Sequence, residues 1–164
     1  MTMKKSRVVF DCMIFLQAVT SDKSLAFRLF EYFENGSFTV YVSNAVLAEI
    51  TEVLNRPFVR TANPSITNEY VEDFLKRFLM RARSIKSVPP KFKYSRDPKD
   101  EKYINLAIEA EADYLISHDR DLLDLMTGID DECKQFRQRF RHLKIIQPVD
   151  FLNIVSGKDM PLNP

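Results

Sequence analysis

Along the chain, short continuous apolar runs alternate with longer stretches in which apolar residues recur every three or four positions. Arg7–Phe10 is a β-branched and aromatic run that reads as a buried strand ending at Asp11. Leu25, Leu29 and Phe33 then recur at i, i+4 and i+8, and Asn35-Gly36 marks the end of that helix. Phe38–Val42 is a second strand candidate. Ser43 is placed to cap a helix carrying Val46, Leu47, Ile50, Val53 and Leu54 on one stripe, closed near Arg56-Pro57.

Beyond a linker containing Asn63-Pro64, the residues Tyr70, Val71, Phe74, Leu75, Phe78 and Leu79 share one helical face, and Pro89-Pro90 forces an extended connection. The spacing predicts a helix over 100–111 with Ile104, Ala107 and Ile108 facing inward, then a strand over 113–117. A last strand is expected at Lys144–Gln147, with Pro148 in the first turn of a terminal helix. Strands that are apolar throughout, alternating with helices, predict an α/β fold layered around a mainly parallel sheet. A single domain is expected over residues 1–156, followed by a frayed tail over 157–164.

Composition narrows the function classes. With 164 residues, 45% of them hydrophobic, the chain can bury one ordinary core. Its 24 basic and 23 acidic residues leave a net charge of +1, so any nucleic-acid footprint has to be local. Cys12 and Cys133 form neither a disulfide framework nor a metal-ligand spacing, and fit a reducing, cytoplasmic setting. Lys4, Lys5 and Arg7 ahead of an apolar run imitate a signal peptide, but Asp11 interrupts the run and no small-residue cleavage site follows. No other segment approaches the roughly 18 apolar residues of a membrane span. A soluble protein without membrane partners is expected. Three glycines leave no Gly-x-Gly-x-x-Gly or P-loop pattern.

The candidate chemistry is acidic. In open α/β sheets ligands bind beyond the carboxyl ends of the strands, and those positions here carry Asp11, then Asp119 and Asp121 in SHDRDLL, with Asp97 and Asp100 in SRDPKDEKY at the start of a helix. Glu49 falls at the edge of its helix's apolar stripe, beside Val53. Each has an ordinary structural explanation. Asp97 and Asp100 can cap a helix, Asp119 and Asp121 can serve a turn, and Glu49 can sit at a surface. Asp11 resists such an explanation, because an unpaired charge at the end of an apolar strand is costly. A cluster of carboxylates is tolerated chiefly around a hard divalent cation, and oxygen ligands suit magnesium or manganese. His118 and His142 form no zinc pattern, and Cys12 reads as a small buried hydrophobe rather than a nucleophile.

The strand-end Asp in VVFDCMIF, the Glu in SNAVLAEITEVLNRP, the stretch SRDPKDEKYINLAIEAEADYLISHDRDLL and the closing IIQPVDFL resemble PIN domains, a metal-dependent ribonuclease fold, and among them the toxins of bacterial toxin-antitoxin systems. The likeness spans about residues 6 to 155, with Arg96–Leu123 its most specific part. It implies a three-layer α/β/α, Rossmann-like fold and an endoribonuclease site holding one or two Mg²⁺ or Mn²⁺ ions. Carried over by position, Asp11, Glu49, Asp100 and Asp119 match the four catalytic acids. Asp11, Asp100, Asp119 and Asp121 would hold metal, while Ser117 and Asp97 would support them. The resemblance also implies an RNA substrate, a homodimer and a cognate antitoxin protein. One departure stands out: the family's usual Asp-Thr-Asn is here Asp11-Cys12-Met13, and methionine cannot replace the hydrogen bonds of an asparagine amide.

Two basic groups offer phosphate contacts. In KQFRQRFRHLK, the residues Lys134, Arg137, Arg141 and Lys144 recur at i, i+3, i+7 and i+10, which predicts one basic helix face for RNA. Lys76, Arg77, Arg81, Arg83 and Lys86 form the second group. The rival reading is a weak or inactive PIN-like module that binds RNA or a protein partner, its site altered by Cys12-Met13. A phosphoacceptor receiver domain also has strand-end acids, but Lys144 opens a strand here rather than ending one.

Overall fold

The computed structural model describes residues 4–157 of the chain. Apart from Gly157, the expected frayed tail lies outside the described residues. Five strands, β1 (Arg7–Phe10), β2 (Thr39–Ser43), β3 (Arg83–Ile85), β4 (Tyr114–Ile116) and β5 (Lys144–Ile146), form one sheet in the order β3-β2-β1-β4-β5. Every pairing is parallel, with Val8 opposite both Val40 and Tyr114. Helices flank the sheet, so its central strands have no solvent face, and Val8, Val9, Phe10, Val40, Leu115 and Ile116 are all buried.

The helices are α1 (Cys12–Thr20), α2 (Leu25–Glu34), α3 (Asn44–Leu54), α4 (Pro57–Ala62), α5 (Asn68–Arg81), α6 (Glu101–Glu109), α7 (Arg120–Leu123), α8 (Asp131–Arg139) and α9 (Pro148–Val155). Their starts follow local chemistry. Ser24, Ser43 and Thr67 accept hydrogen bonds from the backbone N–H groups of Phe27, Val46 and Tyr70, satisfying donors that a helix N-terminus leaves free. A cluster of edge-to-face and tilted rings, Phe10, Phe15, Phe30, Phe33, Phe38, Phe78 and Phe151, fills the core beside β1 and β2. A smaller one joins Phe92, Tyr94, Phe136 and Phe140.

Three elements depart from the sequence reading. Residues 12–20 form α1, although their apolar content carries little periodicity. Helix α3 ends at Leu54, just before Arg56-Pro57 as expected, but Pro57 also opens a further helix, α4, where a missing N–H is harmless. Residues 83–85 add the edge strand β3. The predicted basic face is also corrected. Helix α8 starts at Asp131, capped by Asp130, and stops at Arg139. Arg141 therefore lies in a turn and Lys144 on β5, so Lys134, Arg137, Arg141 and Lys144 share no helix face.

No helix of the described residues is long and apolar enough to cross a membrane.

Candidate metal centre

The strand order reverses its direction of growth at β1, and the carboxyl ends of β1 and its neighbour β4 open a crevice at that point. Asp11 follows β1 directly and caps α1, its Oδ1 accepting from the Met13 N–H at 2.9 Å. Its Oδ2 accepts from the hydroxyl of Ser117, which follows β4. Ser117 in turn accepts from the Asp119 N–H at 2.9 Å, and Asp119 Oδ1 accepts from the Asp121 N–H at 2.8 Å. Two strand ends are thus laced together by side chains, with Ser117 fully buried at the knot.

Four carboxylates converge beside this knot. Asp97, Asp100, Asp119 and Asp121 each offer an oxygen within 4.8 Å of the others. Asp97 caps the 3-10 turn Pro98–Asp100, accepting from the Lys99 N–H at 3.2 Å. Asp100 precedes α6 without making a capping hydrogen bond, and its Oδ2 is buried with no partner among the described residues. Asp121 is held from outside by Arg96, whose Nε lies 2.7 Å from Oδ1 and whose other arm reaches Asp124. The Tyr94 hydroxyl donates to the Asp121 carbonyl at 2.5 Å.

Burial pushes the Asp11 carboxyl up to about 6; its hydrogen bonds to Ser117, Met13 and Ile14 oppose that rise, and the charge of Asp119 adds to it. Burial followed by the charges of Asp119 and Asp97 pushes Asp100 up to about 8. The centre is an electrostatically frustrated pocket of oxygen donors. An orphaned buried carboxylate oxygen amid converging acids is what a hard divalent cation would satisfy, so the residues present fit such an ion.

Glu49 stands at the edge of this group rather than inside it. Burial raises its carboxyl, but the Lys102 ammonium, joined to Oε2, and the Cys12 thiol, donating to Oε1 at 3.3 Å, together hold it below the usual range. Burial raises the Cys12 thiol to about 12, which removes it as a nucleophile. A cleft of about 400 Å³ runs across these residues. Asp11, Glu49, Asp97, Asp100 and Asp119 line it, with Met13, Val53 and Tyr103 as apolar wall and Arg56, Lys99 and His118 as cationic or titratable wall.

Of the acids singled out from sequence, the structure brings Asp97, Asp100, Asp119 and Asp121 together, and leaves Asp11 and Glu49 outside that set but lining the same cleft. Arg96, Tyr94 and Lys102 were not anticipated. Each acts on an acid far from it in sequence or through a backbone carbonyl, and no local spacing announces that. Arg137 is engaged elsewhere, donating to the carbonyls of Leu125 at 2.9 Å and Gly128 at 2.8 Å. Lys134, Arg141 and Lys144 are exposed.

An acid-lined cleft at the switch point of a parallel α/β sheet places this chain among α/β domains that bind ligands beyond their strand ends. Residues 7–121 match the PIN domain family, and the chain belongs to it. PIN domains are generally nucleases. Over 153 residues the chain is 26% identical to a protein of Methanocaldococcus jannaschii named Uncharacterized protein MJ1680, with 90% of each chain covered. Its fold is similar to that of PAE2754 from Pyrobaculum aerophilum, with a TM-score of 0.58 and 13% identity over 94% of this chain and 91% of that one. At that identity the likeness is one of fold.

Proposed function

We propose that this chain is a metal-dependent endoribonuclease that hydrolyses RNA phosphodiester bonds in the cleft between Asp11 and Asp119, using Mg²⁺ or Mn²⁺. The observation that carries the reading is the convergence of Asp97, Asp100, Asp119 and Asp121 around a buried Asp100 oxygen that no described protein group satisfies. Asp97, Asp100, Asp119 and Asp121 would hold the ion, with Asp11 beside them. When bound, a divalent ion supplies an activated water and offsets the charge that develops on the phosphate.

The remaining work falls to the chain. Ser117 ties Asp11 to the Asp119 loop, so that the two strand ends keep a fixed separation. Glu49, kept ionised by Lys102, faces the cleft as an acceptor that can orient a water molecule. Arg56 and Lys99 on the cleft walls would attract the phosphate chain without reading its sequence. Lys134 remains an exposed cation for the phosphate chain, whereas Lys144 pairs with Tyr114 at the amino end of β4 and Arg141 lies beside Arg7 and Asp113, so these two stand toward the end of the sheet opposite the cleft. Arg137 is returned to a structural role by its two carbonyl contacts.

The resemblance of Arg96–Leu123 to toxin PIN domains supports the finer reading: a toxin of a toxin-antitoxin pair, acting in the cytoplasm as a homodimer and blocked by an antitoxin protein. One observation favours a second reading, a binding module with little catalysis. Met13, where the family carries asparagine, is 42% exposed against the cleft and offers no amide to water or substrate. The test is cleavage of a mixed single-stranded RNA pool in Mn²⁺, Mg²⁺ or EDTA by the wild type, Asp11→Asn and Asp119→Asn. Metal-dependent cutting lost in both variants is expected. Cutting that survives both substitutions points to a contaminant, and no cutting under any condition selects the binding module.

A further inference from the structure

One carboxylate of the cleft, Glu49, already receives a counter-charge from the chain itself, supplied by Lys102 from outside the cleft lining. Glu49 on α3 and Lys102 on α6 are 53 residues apart in sequence, yet the Lys102 ammonium is joined to Glu49 Oε2. Cys12 Sγ donates to the other oxygen at 3.3 Å. Both oxygens of Glu49 are therefore engaged, and Glu49 is absent from the set of carboxylates that converge within 4.8 Å. The pair is not a loose surface contact, since the two side chains are 31% and 26% exposed and the ammonium lies 5.9 Å from the centroid of the Tyr103 ring.

Two-ion phosphodiester hydrolysis needs two cation positions about 3.5–4 Å apart, with carboxylates serving both. Here the four converging aspartates serve one side, and on the Glu49 side a fixed ammonium already supplies the positive charge. We infer that Lys102 is a positioning residue standing in for a second divalent ion, so that the centre takes one ion and Glu49 remains a fixed acceptor rather than a metal ligand. This rests on the metal-nuclease reading above. It also assigns a division of labour: Asp97, Asp100, Asp119 and Asp121 gather the ion, and Lys102 holds Glu49 out of its coordination sphere.

The test counts bound Mn²⁺ on the full chain by calorimetry and by the electron paramagnetic resonance signal of free Mn²⁺, with circular dichroism confirming that each variant folds. Wild type and Lys102→Arg are expected to bind one ion. Lys102→Met, which keeps the apolar stem over Tyr103 and removes the charge, is expected to bind two, the second lost again when Glu49→Gln is added. Lys102→Gln serves in the same comparison should the methionine variant misfold. Two ions in the wild type, or a single ion in both charge-removing variants, would overturn the role of Lys102 while leaving the metal centre standing. Absence of Mn²⁺ binding to the wild type would remove the metal-nuclease reading, and this inference with it.

Discussion

Replacing Asp11 by asparagine is expected to stabilise the ion-free protein and to abolish its chemistry, two effects of opposite sign with one cause. Asp11 is 5% exposed, and burial moves its carboxyl from 3.8 to about 6. Between about pH 4 and 6 the unfolded chain has released this proton while the folded chain still holds it. The folded state then binds more protons than the unfolded one, so stability falls as pH rises across that window, and the penalty is complete above it. At about 1.4 kcal/mol per unit of pH, the gap between 3.8 and about 6 corresponds to about 3 kcal/mol of destabilisation at neutral pH. Asparagine keeps an Oδ1 for the Met13 N–H but presents an amide where Asp11 accepts from Ser117. That mismatch offsets about 1 kcal/mol of the gain.

The net expectation at pH 7.5 in EDTA is a variant more stable by about 2 kcal/mol, or about 4–8 °C in Tm for a chain of this length. At pH 4 the gain disappears and the mismatch remains, so the variant melts slightly below the wild type. Thermal unfolding followed by circular dichroism at the two pH values reads both. Saturating Mn²⁺ should then raise the wild-type Tm more than that of the variant, because ion binding to the folded state recovers the stability that the crowded carboxylates forfeit. A variant less stable than the wild type at pH 7.5, or a difference that does not change with pH, would refute the account of Asp11 as a strained buried carboxylate.

Ser117→Ala removes the hydroxyl that serves both Asp11 and the Asp119 N–H, and is expected to lower stability by about 1–3 kcal/mol and Mn²⁺ affinity about tenfold or more, read by melting and calorimetry; an unchanged affinity would show that the knot plays no part in the centre. Arg137→Ala leaves the Leu125 and Gly128 carbonyls without their donor and is expected to lower Tm. By contrast, Lys134→Ala should leave Tm unchanged and reduce the slope of log K against log salt for RNA binding by about 1, while Arg141→Ala, toward the opposite end of the sheet, should change neither. Weaker RNA binding without loss of stability in Arg137→Ala would reverse that assignment.

Periodicity located the elements that present one face to the core. The stripe of α3 and that of α5, each with a polar N-cap, are such cases, while the strands β1, β4 and β5 were read from short continuous apolar runs. Helix α1 was hidden because Cys12, Ile14, Phe15, Ala18 and Val19 are all buried and follow an apolar strand without a break. Such a helix has too few polar positions to display a period, and Asp11, its cap, is the one mark of where strand ends and helix begins. Strand β3 was hidden for the opposite reason. The sequence Arg83-Ser84-Ile85 is polar and short, as suits the edge of a sheet, and carries no apolar signal. In α8 the spacing of Phe136 and Phe140 continues past the end of the helix, because both rings pack with Phe92 although Phe140 has left helical geometry. A pattern of burial outlasted the backbone period that was inferred from it.

Capping and metal ligation look like competing explanations of an aspartate when the sequence is read alone, and the geometry is compatible with both at once. Asp97 and Asp119 each spend one carboxylate oxygen on a backbone N–H within two residues of themselves, which fixes the side-chain rotamer. Each then stands in the converging set already oriented. Asp100 makes no capping bond and is the acid left with a buried, unsatisfied oxygen. The local bonds therefore supply the geometry, and the missing one supplies the demand for a cation. Sequence spacing can reveal the first, because a cap is a short-range contact. It cannot reveal the charge balance, since that depends on Lys102 meeting Glu49 and on Arg96 meeting Asp121 after the chain has folded. On the proposed reading, the number of ions such a centre takes would be set by those long-range pairs, and so by the fold rather than by the count of acids in the motif.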